Sequence, residues 1–388
     1  MPIKIAVLGS TGSIGKNTVD IIKKNLKDFQ VVVLSTNNNV QKILKQSINL
    51  KVKNVIIVNK KKYFKFEKKF LKEKIKVFHN HSDLKKIIKK KIDYIMCAIS
   101  GLSGLEPTFE AIKLSKTIGI ANKESIICAW NLIEESLKRN NTKFIPIDSE
   151  HFSIWSMLNN NNVNKIEKIF ITASGGPFLN KPIKKLKKIN PKQAIKHPNW
   201  PMGKKISIDS ATLANKVFEV IEAQRIFNIE KKKFQILIHP KSYIHAIIKF
   251  NNGLVKFLAH ETDMKIPIFN SIYFNKEKKL SSKKLNLFLL NNLKLKKPSL
   301  YNFPFLNILK KVPNNISLFE TILISINDEL VSLFLKRKIK FTDIYKKLII
   351  IINRKEFIKY YKKSPKDVDQ ISKLSAEVRL KTRQLCIK

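Results

Sequence analysis

The sequence predicts an α/β protein with an N-terminal Rossmann-like parallel-sheet domain, a central α/β catalytic domain and a C-terminal helical domain. Three observations support this prediction. A strand-like run, Ile3 to Leu8, leads into a glycine-rich turn; apolar runs then alternate with Lys-rich helical patterns; and residues 301–388 are mostly helix-periodic. Alternating strands and helices are typical of a parallel sheet wrapped by helices.

The first turn has the pattern of a dinucleotide-binding loop. Gly9, Gly12 and Gly15 follow the first strand and precede a helix-compatible stretch, Lys16 to Lys24. Glycines at this spacing let the backbone approach a pyrophosphate, and the helix N-terminus stabilises its charge. A plain tight turn is the alternative, but the preceding strand favours the nucleotide site.

The second strand-like run, Val31 to Leu34, ends where a βαβ unit meets the adenosine ribose, and Asn37, Asn38 and Asn39 follow it. An acidic residue for a free 2′-hydroxyl is missing there, which argues mildly against NAD. A Lys or Arg for a 2′-phosphate is missing from these positions as well. The choice between NADPH and NADH therefore stays open.

The remaining elements divide the chain into four parts. Residues 1–147 form the Rossmann-like domain, with further strands near residues 54–58, 93–99, 117–121 and 144–147. Residues 148–275 form the catalytic domain, with strands near 168–172, 235–238, 245–250 and 254–258. Residues 276–300 are polar and suit a connecting segment, and residues 301–388 form the helical domain.

The charge of +47 comes almost entirely from lysine, since only six of the 76 basic residues are Arg. Runs such as Lys60 to Lys62 and Lys231 to Lys233 are scattered along the chain, as on a solvated surface. Specific nucleic-acid binding is the alternative, but it favours Arg clusters and exposed aromatic residues. We therefore expect no specific nucleic-acid partner, although anionic metabolites should be attracted.

The three cysteines, Cys97, Cys128 and Cys386, form no CxxC pair, which favours a reducing, cytoplasmic setting. Neither a signal-peptide pattern nor an apolar run of membrane-spanning length is present, so no membrane association is expected. A dehydrogenase with a catalytic cysteine is a weak alternative, because Cys97 and Cys128 lie in apolar surroundings.

Acidic residues mark a candidate metal site. Asp148, Ser149 and Glu150 directly follow the strand near 144–147, at the sheet edge where α/β proteins bind ligands. If this tripeptide is extended, Asp148 and Glu150 face one side. Paired carboxylates suit Mg²⁺ or Mn²⁺. A surface acidic pair is the alternative.

Two loops carry candidate ligand-binding groups. Ser174, Gly175 and Gly176 end a strand and could form a phosphate nest, although an ordinary turn is nearly as plausible. His197 to Gly203 carries two prolines and one glycine around Trp200, so a helix is not expected there. We predict that this segment belongs to a flap over a ligand, at about residues 197–207. A loop anchored by a buried Trp is the alternative. His79 and His81 are expected to be solvated loop residues.

The segment Ser207 to Glu219 begins with capping residues and is predicted to continue as one helix. Asn215 and Glu219 are four residues apart and share a face, with Lys216 beside them. Such a face could hold a metal and an anionic substrate together. A solvated Lys216–Glu219 salt bridge is the alternative.

Taken together, these motifs resemble the 1-deoxy-D-xylulose 5-phosphate reductoisomerase family over essentially the whole chain. The matching strings are GSTGSIG (9–15), ANKES (121–125), DSEH (148–151), SGGPF (174–178), HPNW (197–200), MGKKIS (202–207) and DSAT (209–212), with a His-Pro pair at 239–240. The resemblance implies reduction and isomerisation of a phosphosugar with NADPH and Mg²⁺ or Mn²⁺, Co²⁺ being possible, by a homodimer.

The resemblance also implies a role for individual residues. The metal ligands would be Asp148, Glu150 and Glu219. The substrate would contact Lys123, Ser149, Glu150, Ser174, His197, Ser210, Asn215, Lys216 and Glu219, of which Lys123, Glu150 and Lys216 would be catalytic. NADPH would contact Thr11, Gly12, Ser13, Ile14, Asn37, Asn38, Asn39, Asn122, Glu124 and Gly203. Trp200 and Met202 would belong to the flap.

Some positions depart from the family pattern. Asn37 to Asn39 replace a Gly-Lys-Asn string, Pro201 stands where Ser is common and should stiffen the flap, and Val217-Phe218 replace Gly-Leu. We expect altered packing rather than lost chemistry, because every polar residue of the implied site is present. A degenerate, inactive relative remains the main alternative.

Overall fold

The computed structural model describes residues 1–158, 163–200 and 202–387. Its strands are β1 Ile3–Leu8, β2 Phe29–Thr36, β3 Asn54–Ile57, β4 Lys76–Phe78, β5 Ile92–Cys97, β6 Ser115–Ile120, β7 Lys143–Pro146, β8 Ile166–Ala173, β9 Phe234–Ile238, β10 Ile244–Phe250 and β11 Val255–Ala259.

Its helices are α1 Ser13–Lys24, α2 Val40–Asn49, α3 Lys60–Lys72, α4 Leu84–Ile87, α5 Leu105–Leu114, α6 Lys123–Arg139, α7 Ser149–Leu158, α8 Ile183–Leu186, α9 Pro191–Ala194, α10 Lys204–Thr212, α11 Ala214–Phe227, α12 Lys265–Ile272, α13 Leu287–Asn291, α14 Leu318–Leu335, α15 Asp343–Ile352, α16 Lys355–Ile358 and α17 Val368–Cys386. Among these described helices, none combines the length and the apolar character needed to span a bilayer.

The chain forms two compact units. The first unit comprises Met1–Ser125, Ile133–Phe152 and Met264–Ser281. The second unit comprises Ile126–Leu132, Ser153–Asp263 and Ser282–Lys388. The predicted α/β class with a Rossmann-like parallel sheet, a second sheet and C-terminal helices is confirmed.

A seven-stranded sheet in the order β4-β3-β2-β1-β5-β6-β7 forms the centre of the first unit, and all its strand pairs are parallel. The strand order reverses beside β1, and the C-terminal ends of β1 and β5 meet there. Crevices at this point of a parallel sheet bind ligands. Helix α12 joins the apolar core of this unit through Ile268, Phe269 and Ile272.

The second unit contains a mixed four-stranded sheet, β11-β10-β8-β9, in which β8 pairs parallel to β9 and antiparallel to β10. Helices α14 and α17 pack together in the same unit. The short strand β4 was not predicted; its three residues are too few for a visible alternation pattern.

Candidate active site

The glycine loop of the first unit leaves no room for side chains at two positions. Gly9 has φ +83°, and a Cβ added there would lie 2.7 Å from the carbonyl oxygen of Ala98. A Cβ on Gly15 would lie 2.2 Å from the Gly9 carbonyl oxygen, so glycine allows α1 to approach the strand end. Gly12 and Ser13 at the start of α1 are exposed, and the Gly12 N–H donates to the Gly9 carbonyl at 3.1 Å.

Hydrogen bonds connect this loop to the end of β2. Thr11 and Thr36 share a 2.7 Å bond between their hydroxyl groups, and the Gly9 N–H donates to the Ser35 hydroxyl at 2.9 Å. Ser35 also bonds the His81 ring nitrogen at 3.2 Å. The expectation that His81 is solvated is therefore wrong, and burial lowers its pKa to about 4.

The three asparagines after β2 are exposed, as expected for a ribose-binding loop. A positively charged side chain from the connection after β3 contacts this loop. The sequence around the loop did not indicate it. The ammonium of Lys62, in the first turn of α3, donates to the Asn38 carbonyl at 2.6 Å. Asn59, which caps α3, donates its amide to the Asn38 side chain at 2.8 Å.

At the start of α6, Asn122 has a structural role. Its side-chain oxygen accepts from the Ser125 N–H at 2.6 Å, and its amide donates to the carbonyls of Ile99 and Gly101. Both N–H groups of the Asn122 side-chain amide are therefore occupied by backbone carbonyls. Its neighbour Glu124 is buried.

The buried ammonium of Lys123 lies 2.8 Å from an Asp148 carboxylate oxygen. Burial opposes ionisation of Asp148, but Lys123, and then His151 at 3.7 Å, outweigh it and hold the pKa of Asp148 well below its usual range. Asp148 is therefore a carboxylate at neutral pH, which a metal ligand must be.

The predicted extended tripeptide Asp148 to Glu150 is wrong, because α7 begins at Ser149. The Asp148 carbonyl accepts from the Phe152 N–H at 2.8 Å, so Asp148 immediately precedes the helix. The Ser149 hydroxyl donates to the Glu150 carboxylate at 2.6 Å, and both residues are buried. The carboxylates are therefore placed by a helix N-terminus instead of strand alternation.

In the second unit, the predicted single helix from Ser207 to Glu219 is also wrong. Leu213 has φ +59° and separates α10 from α11. Leu213 is buried, so the break is fixed by packing and gives no local sequence signal. Residues 204–207, the C-terminal part of the predicted flap, form the first turn of α10.

Asn215, Lys216 and Glu219 share one face of α11, as predicted. Asn215 donates its amide to one Glu219 carboxylate oxygen, and the Lys216 ammonium lies 2.5 Å from the other. All three side chains are buried, so this is not a solvated surface salt bridge. Glu219 is 1% exposed, which makes the pair sensitive to loss of either partner.

Ser174 and His197 lie together in the same unit. The His197 Nδ1 atom accepts from the N–H groups of Asn199 at 3.2 Å and Trp200 at 3.0 Å. The Nε2 atom therefore carries the proton and donates to the Ser174 hydroxyl oxygen at 3.0 Å. The Gly176 N–H donates to the same oxygen at 3.1 Å.

Two left-handed glycines shape this strand end. Gly175 and Gly176 have φ +84° and +68°, and a Cβ on Gly176 would lie 2.9 Å from the carbonyl oxygen of Ser210. The loop therefore approaches the end of α10 closely. Burial, and then the charge of Lys216, lower the pKa of His197 to about 4.

The flap residues are held by contacts within the second unit. The Asn199 amide donates to the Pro240 carbonyl at 2.6 Å and to the Ser242 hydroxyl at 3.0 Å. Trp200 is half-buried and meets the His245 ring edge-on, with centroids 5.9 Å apart. Gly203, the N-cap of α10, is exposed. Pro201 lies outside the described residues.

Three family models match the chain. The model described as 1-deoxy-D-xylulose 5-phosphate reductoisomerase matches residues 5–130. The model for the C-terminal domain of this enzyme matches residues 144–227, and the model described as DXP reductoisomerase C-terminal domain matches residues 260–381.

Relatives with this name match along almost their whole length. The protein from Pelagibacter ubique (strain HTCC1062) is 55% identical over 386 residues, which cover 99% of this chain and 100% of the relative. The protein from Clostridium botulinum (strain Eklund 17B / Type B) is 37% identical over 380 residues, 97% of this chain and 98% of the relative.

Solved structures show the same similarity. The reductoisomerase from Zymomonas mobilis in complex with NADPH has a TM-score of 0.90 at 30% identity and covers 100% of this chain and 99% of its own. A DOX-P reductoisomerase in complex with NADPH, fosmidomycin and magnesium has a TM-score of 0.90 at 29% identity, covering 99% and 97%.

Proposed function

The chain belongs to the 1-deoxy-D-xylulose 5-phosphate reductoisomerase family, and we propose that it converts 1-deoxy-D-xylulose 5-phosphate into 2-C-methyl-D-erythritol 4-phosphate, with NADPH as reductant and a divalent metal ion. The observation that carries this proposal is the 55% identity to a relative of this name over the full chain. The presence of NADPH and magnesium in a structure of a relative supports both cofactors.

We assign the NADPH site to the glycine loop, the asparagine loop and nearby backbone. The steric requirement for glycine at Gly9 and Gly15, and the exposed start of α1, fit a pyrophosphate. The residues assigned to this site are Thr11, Gly12, Ser13, Ile14, Asn37, Asn38, Asn39, Asn122, Glu124 and Gly203. NADPH supplies the hydride for the reduction step.

We assign Asp148, Glu150 and Glu219 as metal ligands. Oxygen donors suit Mg²⁺ or Mn²⁺, and the low pKa of Asp148 keeps its carboxylate ionised. When bound, the ion supplies a Lewis acid for the ketone and hydroxyl oxygens of the substrate. The Asn215 amide and the Lys216 ammonium fix the orientation of Glu219.

We assign the phosphate group of the substrate to the second unit. In this assignment Ser174 donates its hydroxyl proton to the phosphate, and the His197 Nε2–H fixes the Ser174 oxygen. The other assigned residues are His197 itself, Ser210 on α10, and Asn215 and Lys216 on α11. Lys216 and Lys123 supply positive charge for oxyanions that develop during the reaction, and Glu150 completes the catalytic set. Ser149 contributes by orienting the Glu150 carboxylate.

The test is metal-dependent oxidation of NADPH in the presence of 1-deoxy-D-xylulose 5-phosphate. The Glu219→Gln variant should lower kcat by about a hundredfold, because a charged ligand is lost. The activity of Glu230→Gln, which makes the same change at an exposed residue, should equal that of the wild type. Equal activity of the two variants would reject Glu219 as a metal ligand. No oxidation by folded wild-type protein would reject the proposed function and favour a degenerate relative.

We also propose a homodimer formed through the edge strand β11. Leu254, Val255 and Phe257 are 60%, 56% and 52% exposed, and β11 is an outer strand of its sheet. Exposed apolar sheet edges pair readily with another chain. Sedimentation of the wild type should give a dimer and Phe257→Lys a monomer; a monomeric wild type would contradict this.

We place the enzyme in the cytoplasm. Cys97 and Cys128 are buried in the first and second units respectively, and neither they nor Cys386 form a disulfide in the described part of the chain, which supports a reducing compartment.

A further inference from the structure

The loop after β2 determines which dinucleotide a Rossmann-like domain accepts. An acidic side chain there binds the free ribose hydroxyls of NADH, whereas a cation accommodates the 2′-phosphate of NADPH. This chain has exposed Asn37, Asn38 and Asn39 at that place. These amides neither repel a phosphate nor neutralise it, so the charge must come from another segment.

The connection after β3 runs beside this loop. Thr36 of β2 pairs with Ile57 of β3, and the backbone pairing continues through the Val58 N–H to the Thr36 carbonyl and the Asn59 N–H to the Asn37 carbonyl. The first turn of α3 therefore begins next to the asparagine loop, and a side chain on the facing side of that turn can reach it.

Lys62 occupies this first turn and reaches the loop. Its ammonium donates to the Asn38 carbonyl at 2.6 Å. Asn59 contacts both of these residues. The Asn59 side chain caps the Lys62 N–H at 3.0 Å and donates to Asn38 at 2.8 Å. An ammonium has three N–H donors, so two remain for an anionic ligand.

We propose that Lys62 recognises the 2′-phosphate of NADPH and replaces the cation that the loop after β2 lacks. Lys62 is a specificity-determining residue in this proposal, which rests on the proposed NADPH-dependent function. Its ammonium is held at the loop before the cofactor arrives, and Asn38 and Asn59 serve as positioning residues. The 2′-phosphate carries charge that NADH lacks, so the effect is confined to NADPH.

A second lysine provides an internal comparison. Lys42 of α2 donates to the Thr11 carbonyl at 3.1 Å, within the glycine loop. This position corresponds to the pyrophosphate, which NADPH and NADH share. Loss of Lys42 should therefore weaken both cofactors equally, whereas loss of Lys62 should weaken only one.

The experiment measures dissociation constants of NADPH and NADH by nucleotide fluorescence, without substrate or metal and at one salt concentration. Lys62→Gln should raise the dissociation constant of NADPH about tenfold, as for loss of one charge-assisted hydrogen bond at a partly exposed site. It should raise the dissociation constant of NADH less than about twofold. Lys62→Arg should retain the preference. In Lys62→Gln, adenosine 2′,5′-bisphosphate should also compete less well for the cofactor site than in the wild type. Competition by AMP, which lacks the 2′-phosphate, should not change.

Lys61→Gln is the matched control, because it removes an exposed charge from the same lysine run. It should leave the ratio of NADPH to NADH affinity unchanged. An unchanged ratio in folded Lys62→Gln protein would overturn the assignment of Lys62 and leave the proposed function intact. Failure of the wild type to bind NADPH would overturn both.

Discussion

At Ser174 two donors converge on one hydroxyl oxygen. The His197 Nε2–H and the Gly176 N–H both point to it, so the Ser174 proton must be donated elsewhere. The proposed phosphate site requires such a hydroxyl donor at Ser174. The arrangement depends on the neutral tautomer of His197, which the N–H groups of Asn199 and Trp200 select by occupying Nδ1.

Replacing Ser174 with Ala should therefore raise KM for 1-deoxy-D-xylulose 5-phosphate about tenfold, since one charge-assisted hydrogen bond to phosphate is lost. The dissociation constant of NADPH should not change. Steady-state kinetics with Ser282→Ala as the exposed control would measure the effect. A KM equal to that of the wild type would remove Ser174 from the phosphate site.

The tautomer itself can be observed. The pKa of His197 is lowered to about 4 by burial and by Lys216, so its ring should stay neutral across the working pH range. Nitrogen-15 NMR of the histidine rings should show a protonated Nε2 and an unprotonated Nδ1 at neutral pH. The signal of His197 is the one that disappears in His197→Gln. A protonated Nδ1 in that signal would contradict the hydrogen-bond network described above.

At the scale of elements, Arg225 of α11 fixes the start of α14. Its guanidinium donates to the carbonyls of Pro313, at 3.1 Å, and Asn314, at 2.5 Å, and pairs with Glu320. Glu320 also completes the capping box with Ser317, whose N–H donates to it at 3.1 Å. One buried ion pair thus joins a helix, a loop and a cap.

Glu320→Ala should destabilise the protein by about 3–5 kcal/mol, because it leaves a buried guanidinium without its carboxylate and removes the cap. Urea unfolding, followed by circular dichroism, would measure the loss. The exposed pair of Asp369 and Lys373 on α17 is the control, and Asp369→Asn should destabilise the protein far less, because solvent screens the pair. A similar loss of unfolding free energy in the two variants would show that burial does not determine how much each ion pair contributes to stability.

The sequence predicted those elements whose position depends on a local pattern of residues. Strands such as β1 and β5 are apolar at all but one position, and the glycines before α1 have a fixed spacing, so both were found. The break at Leu213 and the helical start at Ser149 depend on tertiary packing and were missed. The contact of Lys62 with Asn38 joins residues 24 apart in sequence, which local reading does not detect.

Burial also distinguished between a surface salt bridge and a buried polar group at Lys216 and Glu219, two interpretations that the sequence left open. Lys216 and Glu219 have the spacing of a surface pair, but both are buried, and Phe218 between them packs edge-on against Phe305 with ring centroids 6.2 Å apart. Val217 and Phe218, which depart from the family pattern, thus fill the core and leave the polar face intact, as the expectation of altered packing requires.

For the whole molecule, the net charge of +47 is the dominant electrostatic property. Like charges repel more strongly in the folded state than in the expanded unfolded chain, and salt screens this repulsion. Raising the salt concentration from about 0.01 M to about 0.15 M should increase Tm, by on the order of 5 °C. Calorimetry with sodium chloride would measure it, and a constant or falling Tm would show that ion pairs offset the repulsion.

Five histidines add a pH dependence to this charge effect. Burial is the largest cause lowering the pKa of each, and the residues are His81, His197, His239, His245 and His260. In the unfolded chain a histidine binds its proton near about pH 6.5, whereas folded His81 and His197 do so near pH 4. Between these values the unfolded state binds more protons, so stability falls as pH decreases.

The urea midpoint should accordingly be constant just above about pH 6.5 and fall steadily towards pH 4, at a salt concentration high enough to screen the net charge. His81→Gln removes one of the titrating groups and should make the fall less steep, while lowering stability at pH 7 through loss of the bond to Ser35. If the variant has the same slope as the wild type, protonation of His81 does not contribute, and the loss of stability must arise from the other four rings or from carboxylates. Such a result would also mean that the hydrogen bond from Ser35 leaves the ring accessible to a proton in the folded state.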